Sequence, residues 1–416
     1  MLLYSYKCKI FIFLLLTTLL VIFLTVYTCT GLSCFGVSRN PQFSAQIVPS
    51  KNKLFGYKFN ASVLNRIHKL DLEGSDIVVY LHIQKTGGAS FGRHLVHNLD
   101  IEPPCQCLPK RKKCDCLTKN GKMWLLSRHS TGWACGLHAD WTELNDCVDE
   151  WFKKNEMPPR SERRYHYITF LRNPVDRFLS EWQHVKRGAT WKAVRLHCNG
   201  RDATLDEVPF CFRGSDWSGV SFDEFLSCKH NLAFNRMTRM LANLSKVNCY
   251  KRTGMSEHLV GETLLNSAKE NLINLAFFGL VEEQEKTQFL FERSFGIMFI
   301  DNLKQKLGTH ISQIKIDTEM KNKVIASNQL DMSLYHFAKD LFFQRVEDLE
   351  KKLGYTVQEY FAHIRDSDNN NAEINSQEEE YEDENEDTED DEENHTYYPS
   401  KSTFISSRLR EYQDHR

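Results

Sequence analysis

Lys85-Thr86-Gly87-Gly88-Ala89-Ser90 puts a cation, two hydroxyls and two glycines into six consecutive residues. Glycines where a strand passes into a helix let backbone N–H groups close around an oxyanion, and the helix dipole favours negative charge there. Lys85 supplies a positive charge, and Thr86 and Ser90 supply hydroxyl donors. The lysine precedes the glycines, so this is not the nucleoside-triphosphate signature G-x4-G-K-[ST], and no magnesium-binding pattern accompanies it. Taken alone, the segment reads equally well as an ordinary βα turn. Arg172 closes a second apolar run, and Ser180 follows eight residues later. Singly, Arg172 fits a salt bridge and Ser180 a helix surface. Together with the first loop they suit a ligand carrying two phosphate-like groups.

The elements needed to position these groups are legible. Residues 76–82 (DIVVYLH) form a short β-branched run, hence a buried strand, and residues 89–98 follow with helical spacing of Phe91 and Leu95. Residues 165–171 (YHYITFL) predict a second strand, with Pro174 at the first turn of a helix running to about Arg187. Residues 276–280 predict a third strand, leading into a helix over 282–295, and 330–353 carry a long amphipathic helix pattern. Strands alternating with helices argue a parallel α/β sheet, whose ligands bind at the carboxyl ends of the strands. No internal repeat is present.

The chain has 416 residues and a net charge of −2, a near-neutral value that hides a segregated distribution. Fourteen acidic and no basic residues lie between Glu373 and Glu393, which leaves about +8 on residues 10–372 once both termini are counted separately. A basic body suits a polyanionic partner. The acidic segment reads as a solvated, disordered tail, or as a mimic of that polyanion competing for the basic cleft. Composition excludes a collagen-like, multispanning or mostly disordered chain. Residues 10–27 are uncharged and long enough to span a bilayer, with Lys7 and Lys9 on the cytosolic side. The run is read as a retained anchor, since the apolar region of a cleaved signal peptide is usually shorter, roughly 7–15 residues, and no clear small-x-small cleavage site follows. Ten of the thirteen cysteines lie between Cys105 and Cys249, an even number suited to disulfides in an oxidising lumen. The Cys105-x-Cys107 and Cys114-x-Cys116 pairs leave zinc as the alternative. Asn60, Asn243 and Asn394 head glycosylation sequons.

His82-Ile83-Gln84-Lys85-Thr86-Gly87-Gly88, with Phe91-Gly92-Arg93-His94-Leu95 after it, resembles the phosphosulfate loop of heparan-sulfate 6-O-sulfotransferases. The resemblance continues through Ser130-Thr131-Gly132-Trp133, the string from Cys135 to Leu144 (CGLHADWTEL), Leu179-Ser180-Glu181-Trp182 and the string from Arg187 to Lys192 (RGATWK). It ends with Asp216-Trp217-Ser218-Gly219 and Ala276-Phe277-Phe278-Gly279-Leu280, covering roughly residues 77–350 in order. It implies a sulfotransferase-type α/β fold with a parallel sheet flanked by helices, preceded by a single N-terminal transmembrane helix. The implied layout is a cytoplasmic tail (1–9), a signal-anchor (10–27), a luminal stem (28–70), a catalytic domain (71–366) and an acidic tail (367–416). The protein would be a type II Golgi membrane enzyme that takes sulfate from 3′-phosphoadenosine 5′-phosphosulfate to the 6-hydroxyl of glucosamine in heparan sulfate, with no metal and no nucleic-acid partner.

The resemblance also implies roles residue by residue. The loop from His82 through Ile83, Gln84, Lys85, Thr86, Gly87, Gly88 and Ala89 to Ser90 would hold the 5′-phosphosulfate, and Arg172 and Ser180 the 3′-phosphate. His138 matches the general base, a role that a histidine near its free pKa of about 6.5 suits. Lys85 would stabilise the leaving oxygen. Lys112, Lys113, Arg128, Trp133, His184 and Trp191 match positions that contact the glycan, flat rings meeting sugars and cations meeting carboxylates and sulfates. Lys304, Gln305, Lys306, His310 and Ile311 fall on a segment that caps the nucleotide, where the family carries a tyrosine in place of Lys306 and an arginine in place of His310. Ala89-Ser90 stands where two threonines are usual, and Asn173 where an aspartate is usual.

Overall fold

The run Asp-Ile-Val-Val-Tyr-Leu is buried at every position, as a strand of a parallel sheet covered on both faces requires. The computed structural model describes residues 56–65, 68–109, 111–155, 162–303 and 316–362. In chain order these form α1 (Ala61–Leu64), β1 (Asp76–Leu81), α2 (Gly88–His97), β2 (Leu125–Leu126), α3 (Trp141–Asn155), β3 (Arg164–Leu171) and α4 (Pro174–Lys186). A short hairpin of β4 (His197–Cys198) and β5 (Arg201–Asp202) follows, then α5 (Phe222–Ser227), α6 (Arg236–Leu241) and a 3-10 turn at Leu244–Val247. The chain continues through α7 (Glu257–Asn274), β6 (Phe277–Leu280), α8 (Gln284–Phe295), α9 (Thr318–Ser327) and α10 (Gln329–Leu353).

The main sheet has the order β2-β1-β3-β6, with every pairing parallel. Register places Val78 against both Leu125 and His166, and Ile168 against Phe277. All four strands therefore end on one edge. The loops that leave that edge begin at His82, Ser127, Arg172 and Val281. Beneath them, Phe91 of α2 lies 4.2 Å from Phe170, and Phe277 and Phe291 close the same cluster at 5.2 Å. Buried aromatic pairs of this kind contribute about 0.5–1.5 kcal/mol each beyond their area.

The three predicted strands and the helices after them are present, with ends moved by a residue or two. Part of the stretch expected as a stem, 28–70, packs on the fold. Tyr57 N donates to Asp340 Oδ2 at 2.8 Å, Phe59 N donates to Gln344 Oε1 at 3.1 Å, and both rings meet Phe337 edge-on. Tyr57 and Phe59, just ahead of α1, thus join the core through α10, which a polar local composition hid. No helix among the described residues is long and apolar enough to cross a membrane. Residues 10–27 and the acidic segment lie outside the described residues.

Candidate active site

Beyond β1 the backbone turns through Lys85 (φ 63°) and Gly87 (φ 73°), both left-handed. Such turns curl successive N–H groups toward one point. Gly87 is the N-cap of α2 and no side chain caps the helix. Phe91 N donates to Gly87 O at 3.2 Å, so the N–H groups of Gly88, Ala89 and Ser90 precede the helix's own hydrogen bonding. A Cβ at Gly88 would run into the His82 ring and the Tyr80 hydroxyl, which makes glycine a packing requirement there. Arg172 Nη1 donates to the Lys85 carbonyl at 3.3 Å, so the two loops expected to bind anions meet. Burial holds the Arg172 guanidinium below its ordinary range, against the pull of Asp176 and Glu282. Thr86 differs from expectation. It is fully buried and its hydroxyl donates to the Ile83 carbonyl at 2.9 Å, fastening the turn rather than offering a proton outward. Ser180 lies one turn before His184 on α4, on the same face.

The second half of the site surrounds His138, which is 3% exposed and has a left-handed backbone (φ 50°). Its Nδ1 lies 3.1 Å from the His82 carbonyl oxygen. A carbonyl only accepts, so Nδ1 carries the proton and Nε2 presents a lone pair. Nε2 is buried and has no hydrogen-bond partner. Burial lowers the imidazole to about 3, opposed by the His82 carbonyl and helped by Arg236, Arg128 and His184. The free value near 6.5 expected from the residue type is therefore replaced by a ring kept neutral throughout the physiological range. Trp133 stands 4.6 Å from His138 and Trp191 meets it edge-on at 5.2 Å. His184 lies 5.1 Å from Trp191, Arg128 sits 5.6 Å over Trp133, and His82 stacks on Trp133 at 5.8 Å. Lys85, His138 and Trp191 all carry positive φ, a strain of about 1–3 kcal/mol each that is characteristic of functional sites.

A glycine turn at a helix start, a neutral imidazole with an open lone pair and two tryptophans are thus assembled at one sheet edge. A family profile described as "Sulfotransferase family" matches residues 68–338. Heparan-sulfate 6-O-sulfotransferase 2 of Gallus gallus is 45% identical over 357 residues, 83% of this chain and 88% of that protein. The chain belongs to the heparan-sulfate 6-O-sulfotransferase family. Heparan-sulfate 6-O-sulfotransferase 2 of Danio rerio is 51% identical over 295 residues, covering 70% of this chain and 63% of that protein. Heparan-sulfate 6-O-sulfotransferase 1 of Homo sapiens is 46% identical over 293 residues, covering 70% and 71%.

Five disulfides frame this sulfotransferase's site: Cys105–Cys116, Cys107–Cys114, Cys135–Cys147, Cys198–Cys249 and Cys211–Cys228. The third staples the His138 turn to α3. The first two nest around a tip that includes Lys112 and Lys113, and Cys114 N donates to the His129 carbonyl at 2.8 Å. Lys112 and Lys113 are both exposed, and the Lys113 stem passes beside Gly132, next to Trp133. His97, Cys107 and Cys114 lie close enough to hold a metal ion, but the two sulfurs are bonded to each other, and ligation needs thiolates. Asn60 and Asn243 use Oδ1 to cap Val63 N and Ser245 N, which leaves Nδ2, the atom a glycan joins, out of the cap. Lys304, Gln305, Lys306, His310, Ile311 and Asn394 lie outside the described residues.

Sequence reasoning missed Tyr80 and Arg236. Burial raises the Tyr80 phenol well above its ordinary range, so its unpartnered hydroxyl remains a donor beside Gly88. Arg236 is buried and paired with Glu181, yet its charge reaches His138. Neither lies in a pattern that spacing alone marks as functional.

Proposed function

We propose that this sulfotransferase moves a sulfuryl group from 3′-phosphoadenosine 5′-phosphosulfate to the 6-hydroxyl of glucosamine in heparan sulfate. The observation that carries the reading is His138, whose Nδ1 is committed to the His82 carbonyl while Nε2 keeps a buried, unpartnered lone pair between two tryptophans. Family membership supports the donor, and the names of the relatives support the acceptor and its 6-position.

His138 Nε2 takes the hydroxyl proton as the sugar oxygen attacks sulfur, a step worth roughly 10²–10⁴-fold. The new O–S bond forms while the bond from sulfur to the bridging oxygen breaks, and 3′-phosphoadenosine 5′-phosphate leaves with the electron pair. Lys85 and the N–H groups of Gly88, Ala89 and Ser90 stabilise the charge growing on that side, a role that needs no metal. Arg172 and Ser180 hold the 3′-phosphate. Lys112, Lys113, Arg128, Trp133, His184 and Trp191 receive the glycan, and the 304–311 segment caps the nucleotide. Five disulfides support an oxidising compartment, and the apolar run at 10–27 supports anchorage in the Golgi membrane with the catalytic domain luminal.

The test is disaccharide analysis after incubating the protein with the donor and N-sulfated heparosan. New 6-O-sulfate, lost by roughly 10²–10⁴-fold in His138→Ala, is the expected result. Sulfate at another position removes the acceptor assignment. Nucleotide and heparan binding without transfer leaves a binding protein on this fold.

A further inference from the structure

Two residues beyond His138, the chain enters α3 through a reciprocal pair of hydrogen bonds. Asp140 N donates to Glu143 Oε2 at 3.0 Å, and Glu143 N donates to Asp140 Oδ1 at 3.1 Å. This is a capping box, with aspartate where serine or threonine is usual. The other two oxygens are also engaged. Tyr250 OH donates to Asp140 Oδ2 at 3.3 Å, and His197 N donates to Glu143 Oε1 at 2.7 Å. Asp140 is 2% exposed and Glu143 3%.

A helix cap does not require this. A serine would cap the same N–H, and bringing two carboxylates out of water costs several kcal/mol unless other contacts offset it. What the second pair of oxygens adds is a tie from the His138 turn to β4 and to Tyr250. Those two segments are themselves joined by Cys198–Cys249. The turn being tied is the one that holds His138 at φ 50°, a conformation a non-glycine residue keeps only when its surroundings impose it.

We propose that Asp140 and Glu143 are positioning residues for the general base, clamping the His138 turn so that Nδ1 stays on the His82 carbonyl and Nε2 stays open toward the acceptor. This rests on His138 being the base. All four carboxylate oxygens accept from N–H or O–H donors, so the clamp is built for the ionised pair. The groups facing it are Arg239 from α6, Tyr250 and His197. Burial raises both carboxyls above the ordinary carboxylate range, and the Asp140 charge raises Glu143 further. Acidification from neutral pH therefore loosens the clamp.

Three variants of the full chain separate this role from simple capping. Glu143→Gln leaves one backbone N–H without an acceptor. Asp140→Ser keeps the cap and gives up the Tyr250 contact. Asp140→Asn keeps both, because the Tyr250 hydroxyl can turn. Rates are counted per binding site for 3′-phosphoadenosine 5′-phosphate, so misfolded protein does not enter. Glu143→Gln and Asp140→Ser are expected to lose about 10–100-fold in kcat with little change in acceptor KM. Asp140→Asn recovers most of that loss. The fall in wild-type kcat as pH drops from 7 to 6 disappears in Glu143→Gln. Wild-type kcat in Asp140→Ser overturns the proposal, and this variant folds even where Glu143→Gln does not, because serine is a good N-cap. His138→Ala, measured alongside, keeps the two readings apart. Retained transfer there removes the base itself, whereas lost transfer there with full activity in Asp140→Ser removes only the clamp.

Discussion

His138 is held neutral by burial, and the same burial gives it a thermodynamic signature. Its folded value near 3 lies below the ordinary histidine value, so between those limits the unfolded chain binds a proton that the folded chain refuses. Stability is unaffected above about pH 6.5 and falls as pH drops below it. The slope is about 1.4 kcal/mol per pH unit for one such group. His129 acts in the same direction, lowered to about 4 by burial and then by Arg128 and Arg93. Asp140 and Glu143 act oppositely, since their raised values make the folded form bind protons more readily. A comparison with His138→Gln cancels all but the one histidine. Denaturant unfolding at pH 7 and pH 5 should show the wild type losing about 2 kcal/mol more than the variant over that interval. Equal losses would mean that the ring is not buried neutral.

At the scale of elements, α4 is the piece on which both halves of the site depend, because it follows Arg172 and carries Ser180 and His184. Its start is built from Pro174 at the first helical position and Asn173, whose Oδ1 accepts from Val175 N at 3.0 Å. Glu282 fastens the same start from the β6 side, accepting from Asn173 N at 2.6 Å and from Tyr335 OH at 2.8 Å. The middle of α4 is fixed by charge. Glu181 is buried and pairs with Arg177 of its own helix and Arg236 of α6, while Asp331 of α10 lies 4.0 Å from Arg177. Burial pushes Glu181 up, yet the two guanidinium groups hold it below the ordinary carboxylate range. Glu181→Gln leaves those arginines undercompensated, and removal of one partner from a buried ion network costs about 3–5 kcal/mol. A fall in melting temperature with little change in nucleotide affinity once folded is the expected readout. An unshifted melting curve would show that the network adds nothing to stability.

For the whole described chain, the longest covalent constraint is Cys198–Cys249, which closes a separation of 51 residues. It ties β4 to the segment after the 3-10 turn, and both flank the first turn of α3. Loop-closure entropy for that length corresponds to about 4 kcal/mol. The Cys198→Ala, Cys249→Ala double variant should therefore unfold at distinctly lower denaturant concentration than wild type. A midpoint that does not move would place the constraint's effect in the native state's geometry instead.

Local chemistry made much of this protein legible. The β-branched run at 76–82, the Lys85–Ser90 turn and Pro174 after Arg172 each declare their element, because strand burial, helix starts and glycine turns depend on neighbours in the chain. Long ordered strings marked the family. What the chain order does not contain is distance. Arg172 meets Lys85 only because β1 and β3 are adjacent and parallel, and His138 finds the His82 carbonyl only because two loops leave the same sheet edge. Asp140 and Glu143 stand three residues apart in the chain, but the donors to their remaining oxygens, the Tyr250 hydroxyl and the His197 N–H, come from more than fifty residues away. Residue type and spacing determined which groups could do the chemistry. The fold decided their protonation, because desolvation is a property of everything packed around a group and not of its neighbours in sequence.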